Sequence, residues 1–177
     1  MRSRFIAVFG SSSCRPGDEQ YEEAVAWGRC IATAGFGVIN GGYMGAMEAV
    51  SKGAAEAGAQ VIGVTVPALF PDRDGANPWV SVELPAPSLL QRIAMLCDLS
   101  VASVTLRGSI GTLAEVMAAW NIAYIDDLRK QPTKPVGVHA SWMPMLTTGH
   151  VMRDSQVRLI TPIASLDDLA AFCKRLG

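Results

Sequence analysis

Short apolar stretches alternate along this chain with longer segments in which apolar residues recur every three or four positions. The short stretches, such as 5–9 with the sequence FIAVF, are typical of buried β-strands. The longer segments, such as 18–34 with Ala24, Trp27 and Ile31 on one side, are typical of amphipathic helices. The pattern predicts strands over 5–9, 37–40, 61–66, 79–84, 101–106, 135–139 and 158–161. It predicts helices over 18–34, 44–57, 89–98, 112–125, 142–151 and 166–176.

This alternation of strand and helix predicts an α/β fold. We expect an open, mostly parallel sheet with helices on both faces, joined by right-handed connections. In such sheets ligands bind beyond the carboxyl ends of the strands, where turns lead into helices. Three of these turns are rich in Gly or Ser, at 10–13, 40–45 and 107–112. The ligand site is therefore expected where these three turns meet.

The composition favours one domain spanning 1–177. Of the 177 residues, 50% are hydrophobic and 18% are charged, which is enough apolar material for one core. The net charge is −1, from 15 basic and 16 acidic residues without a block of one sign. This balance gives no electrostatic footprint for nucleic acid or for an anionic membrane. A bound anion must then be held by backbone amides and by one or two arginines.

Targeting and metal-binding motifs are not evident in the sequence. No apolar run approaches the ~18 residues of a membrane span, and the N-terminal segment is too short for a signal-peptide core. The four cysteines are scattered without a CxxC motif, and only two histidines accompany them. We expect free thiols in a reducing, cytoplasmic compartment and no metal site. These residues are Cys14, Cys30, Cys97, Cys173, His139 and His150.

Two turns, 40–45 and 108–112, have the form of a strand followed by glycines and a helix. Glycine lets a ligand approach the main chain, and the helix that follows presents free N–H groups and partial positive charge. Such a turn can hold a phosphate without a basic side chain. A dinucleotide site fits poorly, because the turn at 10–14 is not GxGxxG and no acidic residue follows the second strand as expected. The P-loop motif is absent from the third turn as well.

Three charged side chains near these turns each have two interpretations. Glu115 either completes a capping box with Thr112 as the N-cap, or faces the ligand as a base or as a stabiliser of positive charge. Arg92, in a largely apolar helix, is either a surface arginine or a clamp for an anion. Arg107 either binds an anion or points to solvent. The residues alone leave these alternatives open.

Other notable residues have simpler interpretations. Met44, Met47 and Met95 are expected to fill the core, and His139 is expected to be a hydrogen-bonded structural histidine. The long loop 67–78 contains three prolines and a glycine, and loops of this length often carry function. We expect it to contribute to ligand recognition.

Taken together, several segments resemble the LOG (Lonely Guy) family of cytokinin riboside 5′-monophosphate phosphoribohydrolases. The resemblance runs in order through most of the chain, and the glycine motif preceded by an arginine is its most specific part. The matching segments are Ile6-Ala7-Val8-Phe9-Gly10-Ser11-Ser12, Gly41-Gly42-x-x-Gly45-x-Met47, Gln91-Arg92, Leu106-x-Gly108-x-x-Gly111-Thr112-Leu113-x-Glu115 and Lys134-Pro135-Val136-Gly137.

The resemblance implies a Rossmann-like fold, a homodimer and hydrolysis of the N-glycosidic bond of a nucleoside 5′-monophosphate. No metal or redox cofactor is implied. Arg92 and Glu115 would be the catalytic pair. The residues implied to bind the phosphate or line the pocket are Gly108, Ser109, Gly111, Thr112, Gly41, Gly42 and Ser11. For the dimer face we expect the apolar segment 117–120 and the helix 89–96.

The chain departs from the family pattern at several positions. The usual Pro-Gly-Gly is Arg107-Gly108-Ser109, and Asn40, Ile93 and Ala114 replace a Gly, a Lys and an acidic residue. Ser109 places a β-carbon where the backbone approaches a phosphate. Two hypotheses follow. One is a phosphoribohydrolase acting on AMP or N6-modified AMP, and the alternative is a non-catalytic carrier or sensor that binds a nucleotide or a molybdenum cofactor.

Overall fold

All seven strands belong to one parallel sheet in the computed structural model, which describes residues 4–148 and 152–177. Along the sheet the strands lie in the order β4-β3-β2-β1-β5-β6-β7. The strands are β1 (Phe5–Phe9), β2 (Gly37–Asn40), β3 (Val61–Thr65), β4 (Val82–Pro85), β5 (Ala102–Thr105), β6 (Val136–His139) and β7 (Ile160–Ile163). The predicted α/β class is therefore confirmed, and the sheet is parallel at every pairing.

Helices cover both faces of this sheet, as predicted. Alternate residues of β1 enter different cores, because successive side chains of a strand point to opposite faces. Ile6 and Val8 pack with α1, α2 and α7, whereas Ala7 and Phe9 pack with α3 and α4. The helices are α1 (Glu19–Thr33), α2 (Ala46–Glu56), α3 (Leu89–Asp98), α4 (Ile110–Leu128), α5 (Met143–Thr147), α6 (Asp154–Val157) and α7 (Leu166–Lys174), with a 3-10 turn at Ala140–Trp142.

Several predicted boundaries need correction. Helix α4 begins at Ile110 rather than at 112, so Ser109 is its N-cap and Thr112 lies inside the first turn. The predicted capping box between Thr112 and Glu115 is therefore wrong. The predicted helix 142–151 is a 3-10 turn followed by the short α5, and its last three residues lie outside the described ranges. The last strand is β7 at Ile160–Ile163, after the unpredicted helix α6.

The order of the strands creates a crevice at the carboxyl ends of β1 and β5. Strand β1 pairs with β2 on one side and with β5 on the other, so the chain continues in opposite directions from this point. The turns that follow β1 and β5 consequently separate, and ligands of open α/β sheets bind in such a gap. Two of the three glycine- and serine-rich turns, 10–13 and 107–112, lie here.

Helices α1 and α2 pack backbone against backbone, because each supplies a glycine at the crossing. A methyl group on Gly53 would overlap the carbonyl oxygen of Val25 and come within 2.8 Å of its carbonyl carbon. A methyl group on Gly28 would likewise overlap the carbonyl oxygen of Val50. Neither helix can yield locally, since the atoms met are main-chain atoms. The crossing therefore fixes the position of α2 behind the turn at 40–45.

We expect Gly53→Ala to lower the free energy of unfolding by about 2–3 kcal/mol, because the added methyl group forces the two helices apart. Chemical denaturation followed by circular dichroism measures this change. Gly111→Ala is the matched control, since Gly111 is also helical and an added β-carbon there meets nothing within 4 Å. Equal stability of the two variants would contradict the role given to the α1–α2 contact.

The predicted dimer face is only partly exposed. Trp120 is 3% exposed, and its Nε1 donates to the Gln156 carbonyl at 2.9 Å, so the segment 117–120 packs largely against its own core. In the predicted helix 89–96, Leu89 and Leu90 are exposed. Further exposed apolar side chains lie on α4 outside 117–120, namely Ile110, Ile122, Ile125 and Leu128. Assembly as a homodimer stays a prediction.

Two further observations concern the chain as a whole. The four cysteines carry free thiols, as expected from their scattered positions. Within 4–148 and 152–177, the helices are each too short or too polar to cross a membrane.

Candidate functional site

Backbone hydrogen bonds tie the turns after β1, β2 and β5 into one rigid edge. The Ser11 amide donates to the Arg107 carbonyl at 3.1 Å, and the Ala46 amide donates to the Ser11 carbonyl at 2.7 Å. Gly45 has φ +74°, and a β-carbon there would lie 2.5 Å from the Ser11 carbonyl oxygen, so this position requires glycine. The three turns therefore hold their relative positions without a ligand.

Asn40, which stands at a family glycine position, organises the turn after β2. Its buried side-chain amide donates to the Met47 carbonyl at 3.1 Å and to Ser51 Oγ at 2.9 Å. Its Oδ1 accepts from the Gly42 amide at 2.8 Å. The loop 67–78 joins this turn through Asn77, whose backbone amide donates to the Gly42 carbonyl at 2.7 Å. The Asn40 substitution thus stabilises the turn rather than opening it.

A cleft of about 240 Å³ opens above this edge. Its walls come from the three turns, from α3 and α4, and from the loop 67–78. The lining residues are Gly10, Ser12, Tyr43, Met47, Phe70, Arg73, Leu89, Arg92, Ile93, Ser109, Gly111, Thr112, Ala114 and Glu115. Phe70 and Arg73 of this loop therefore line the cleft, and the part of the loop in ligand recognition stays a prediction.

The cleft contains a buried ion pair between Arg92 of α3 and Glu115 of α4. Arg92 Nη2 lies 3.5 Å from Glu115 Oε1, and both residues are 8% exposed. Of the two interpretations of Arg92, burial supports the clamp and excludes a surface arginine. Arg92 Nη2 also lies 3.7 Å from Met47 Sδ, so Met47 borders the charged pair rather than serving only as core filler. Gly41 leaves the space that the guanidinium occupies.

Arg92 retains an unused donor. Its Nε is buried and has no hydrogen-bond partner among the residues that the structure describes. Buried donors in folded proteins are almost always paired, so an unpaired one inside a cleft indicates a missing acceptor. The guanidinium carbon of Arg92 lies 5.9 Å from the centre of the Tyr43 ring. This cation–π contact stabilises the guanidinium from one side. The arrangement is suited to a ligand that carries acceptor oxygens.

Glu115 has an unusual acidity. Burial raises the pKa of its carboxyl from 4.5 to about 7, and the nearby Arg92 guanidinium opposes this rise only in part. The group can therefore exist in both protonation states near neutral pH. A carboxyl with such a pKa is suited to accept or donate a proton in the cleft.

The first turn of α4 presents its backbone to the cleft. Within the described residues, the Ser109 side chain makes no capping hydrogen bond, so the first amides of the helix keep their donors free. Thr112 is buried, and its side chain occupies the space that a β-carbon on Gly108 would need. Ser109, Gly111 and Thr112 all line the cleft. This turn offers the donors that a phosphate group requires.

Arg107 points away from the cleft. Its Nη1 lies 3.4 Å from Glu19 Oε1 and its Nε lies 3.7 Å from Glu23 Oε2, both on α1. Glu23 also contacts His139 Nε2 at 3.2 Å, and His139 Nδ1 lies 2.7 Å from Ser141 Oγ. His139 is thus a hydrogen-bonded structural residue, as expected. The Arg107 substitution attaches the β5–α4 turn to α1 and adds no free cation to the cleft.

The remaining predicted site residues lie at the edge of the cleft. Ser11 is buried, and its Oγ lies 2.6 Å from Ser13 Oγ, so the neighbouring Ser12 lines the cleft instead. Gly41 lies directly beneath Arg92, and Gly42 packs on β3. Their roles in ligand binding stay predictions.

An aromatic cluster with a second arginine lies at one end of the cleft and was missed by sequence reasoning. Arg73 Cζ lies 4.1 Å from the centre of the Phe70 ring and 4.4 Å from that of Tyr43. The two rings meet edge to face, with centres 5.2 Å apart. In the sequence, the length of the loop 67–78 indicated a functional segment, but it did not identify Phe70 or Arg73 as residues of the cleft.

Comparison with known proteins identifies the family of this chain. The sequence profile of the SLOG cluster4 family matches residues 3–125. The cytokinin riboside 5′-monophosphate phosphoribohydrolase of Mycobacterium marinum is 30% identical over 162 residues, which cover 88% of this chain and 86% of that protein.

Solved structures share the fold over nearly the whole chain. The molybdenum cofactor binding protein of Rippkaea orientalis has a TM-score of 0.75 and 20% identity, covering 99% of this chain and 98% of that one. The Moco carrier protein of Chlamydomonas reinhardtii has a TM-score of 0.69 and 25% identity, with the same coverage. From the matched profile and the mycobacterial relative, the chain belongs to the SLOG cluster4 family and is a relative of the LOG phosphoribohydrolases.

Proposed function

We propose that this protein hydrolyses the N-glycosidic bond of a purine nucleoside 5′-monophosphate, with AMP and N6-modified AMP among its substrates, releasing the base and ribose 5-phosphate. The observation that carries the proposal is the buried Arg92–Glu115 pair in a cleft bordered by the free amides of α4. The mycobacterial relative is named for the same reaction class. Water is the only co-reactant that this chemistry needs.

The cleft supplies the groups that such a hydrolysis requires. Breaking the bond between C1′ and the base nitrogen develops positive charge on the sugar, which a nearby carboxylate stabilises. Ionised Glu115 is suited to this role, and it can accept a proton from the water that adds to C1′. The departing base takes up a proton on the nitrogen that was bonded to C1′. Arg92, which lines the cleft, would hold the nucleotide through an acceptor oxygen on its guanidinium.

The phosphate would bind at the first turn of α4. Ser109, Gly111 and Thr112 of this turn line the cleft, and the helix dipole favours a negative charge at this end of α4. Because Gly108 has no side chain, Thr112 packs against the turn, and the main chain of the turn stays accessible. Binding the phosphate at a fixed point would bring C1′ to the catalytic pair.

A direct assay tests the proposal. The protein is incubated with AMP, N6-modified AMP, GMP and IMP, and free base and ribose 5-phosphate are followed by chromatography. Equal amounts of the two products are expected from a hydrolysis. Absence of free base from every nucleotide tested would overturn the proposal.

Turnover should rise with pH through about 7. The active form of Glu115 in this scheme is the carboxylate, and the raised pKa of about 7 leaves it largely protonated in more acidic solution. We expect kcat to fall about tenfold for each unit below pH 6 and to reach a plateau above pH 8. A rate profile from pH 5 to 9 measures this. A profile that is flat over this range would exclude titration of Glu115.

A second candidate function is a non-catalytic carrier for a molybdenum cofactor or a nucleotide. Two observations favour it: the likeness to the Chlamydomonas Moco carrier protein over 99% of the chain, and Ser109 in the phosphate-binding turn. Calorimetric titration against a panel of nucleotides and a pterin cofactor tests this candidate. Micromolar binding of the pterin without hydrolysis of any nucleotide would support it, and efficient turnover of a nucleotide would argue against it.

A further inference from the structure

Arg73 is held in a fixed orientation on an aromatic platform. Its guanidinium carbon lies close to both rings of the platform, 4.1 Å from Phe70 and 4.4 Å from Tyr43. The Tyr43 ring is anchored, because its hydroxyl accepts the Val66 amide at 2.8 Å. Cation–π contacts with two rings restrict a guanidinium while leaving its N–H edges free. Arg73 is therefore prepared to donate hydrogen bonds.

The donors of Arg73 are not used by the protein. In the described part of the chain, no carboxylate lies within 4.0 Å of Arg73, and its side chain makes no hydrogen bond. Arg92, in contrast, has Glu115 as its partner. Because Arg73 lines the same cleft, its free donors are available to a ligand bound there.

The topology places Arg73 far from the first turn of α4. Arg73 packs on Tyr43 of the turn that follows β2, and α4 follows β5, so two strand spacings separate these two ends of the cleft along the edge of the sheet. Two spacings correspond to about 10 Å. The Arg92–Glu115 pair lies between them, since Arg92 contacts the Tyr43 ring at 5.9 Å on one side and Glu115 on the other. A nucleotide with its phosphate on α4 would therefore direct its base toward Arg73.

We propose that Arg73 recognises the base, and that the cleft prefers a 6-oxopurine nucleotide, GMP or IMP, over AMP. Guanidinium donors can pair with both O6 and N7 of a 6-oxopurine. Adenine also offers N7, but its 6-amino group is a donor, so the second guanidinium N–H would face another donor instead of an acceptor. This inference rests on the proposed function, since it takes the phosphate to bind at α4. It makes AMP the poorer of the purine substrates.

Exchange of Arg73 for glutamine tests the inference, because the two side chains favour different bases. A glutamine amide donates to N7 and accepts from the 6-amino group, which matches adenine. The wild-type protein is expected to bind and hydrolyse GMP about tenfold better than AMP, and Arg73→Gln is expected to reverse this preference. Dissociation constants by calorimetry and kcat/KM values are measured for AMP, GMP and IMP. Arg175→Gln is the matched control, since Arg175 lies over the Phe172 ring at 5.8 Å outside the cleft.

The possible results separate this inference from the proposed function. Preferential binding of GMP without hydrolysis would overturn the phosphoribohydrolase and support the role of Arg73. An unchanged ratio of GMP to AMP in Arg73→Gln would overturn the role of Arg73, even if hydrolysis is fast. An equal loss of affinity for all three nucleotides would show that Arg73 binds the phosphate, and it would also overturn recognition of the base by Arg73. Arg175→Gln should keep the wild-type ratio.

Discussion

Glu115→Gln is expected to lower kcat about 10³-fold while leaving nucleotide binding within a few-fold of wild type. Glutamine keeps the shape of the side chain, so the cleft should stay intact. It removes the negative charge that would stabilise the developing cation on the sugar and the group that would accept the proton from water. Single-turnover rates and calorimetric binding, each above pH 8, measure the two effects separately.

The same substitution is expected to change how stability depends on pH. The pKa of Glu115 is about 7 in the folded chain, compared with 4.5 as its ordinary value. A folded pKa above the unfolded one means that the native state holds its proton more tightly, so stability decreases as pH rises from about 4.5 to 7. This difference in pKa corresponds to about 3 kcal/mol. Between pH 4.5 and 8, the free energy of unfolding of Glu115→Gln should therefore gain about 3 kcal/mol relative to wild type.

Urea denaturation of both proteins at pH 4.5 and 8 gives this comparison, and it does not depend on any nucleotide. Glu22→Gln is the matched control, because Glu22 is exposed on α1 and lies outside the cleft. It should leave both kcat and the pH dependence unchanged. If Glu115→Gln keeps kcat within tenfold of wild type, the carboxylate has no chemical role.

The sequence was sufficient to predict the fold and to single out Arg92 and Glu115, which the folded chain brings together as an ion pair. Strand and helix periodicity gives the parallel sheet, and the glycine turn at 107–112 marks the edge where the cleft opens. The spacing of Arg92 and Glu115 from this turn matched a family pattern. The residues alone did not show that Arg92 is buried, since an arginine in an apolar helix is equally compatible with the surface.

The missed features depend on contacts between distant segments. Arg73 and Phe70 belong to a loop without periodicity, and only the folded chain brings them against Tyr43 from the turn after β2. Arg107 could be assigned no partner from sequence, because Glu19 and Glu23 lie on a helix far away in the chain. Local patterns identify the turns, whereas the side chains that enter the cleft from loops are determined by tertiary packing.

Gly41→Ala is expected to lower kcat/KM about 10²-fold with little change in stability. A β-carbon on Gly41 would overlap Arg92 Nη2 and come within 2.6 Å of Met47 Sδ. Both are ends of flexible side chains, so they can move aside without unfolding the protein. The guanidinium would then be displaced from Glu115, and a misplacement of about 1 Å in a catalytic group is enough for a loss of this size.

A double-mutant cycle shows whether this loss acts through Arg92. The variants are Gly41→Ala, Arg92→Ala and the two combined, and kcat/KM is measured with the nucleotide that is hydrolysed fastest. If the methyl group acts only by displacing the guanidinium, it should cost nothing further once Arg92 is absent, because the two changes remove the same interaction. Losses that multiply would show instead that Gly41 contacts the ligand through its own backbone, independently of the arginine above it.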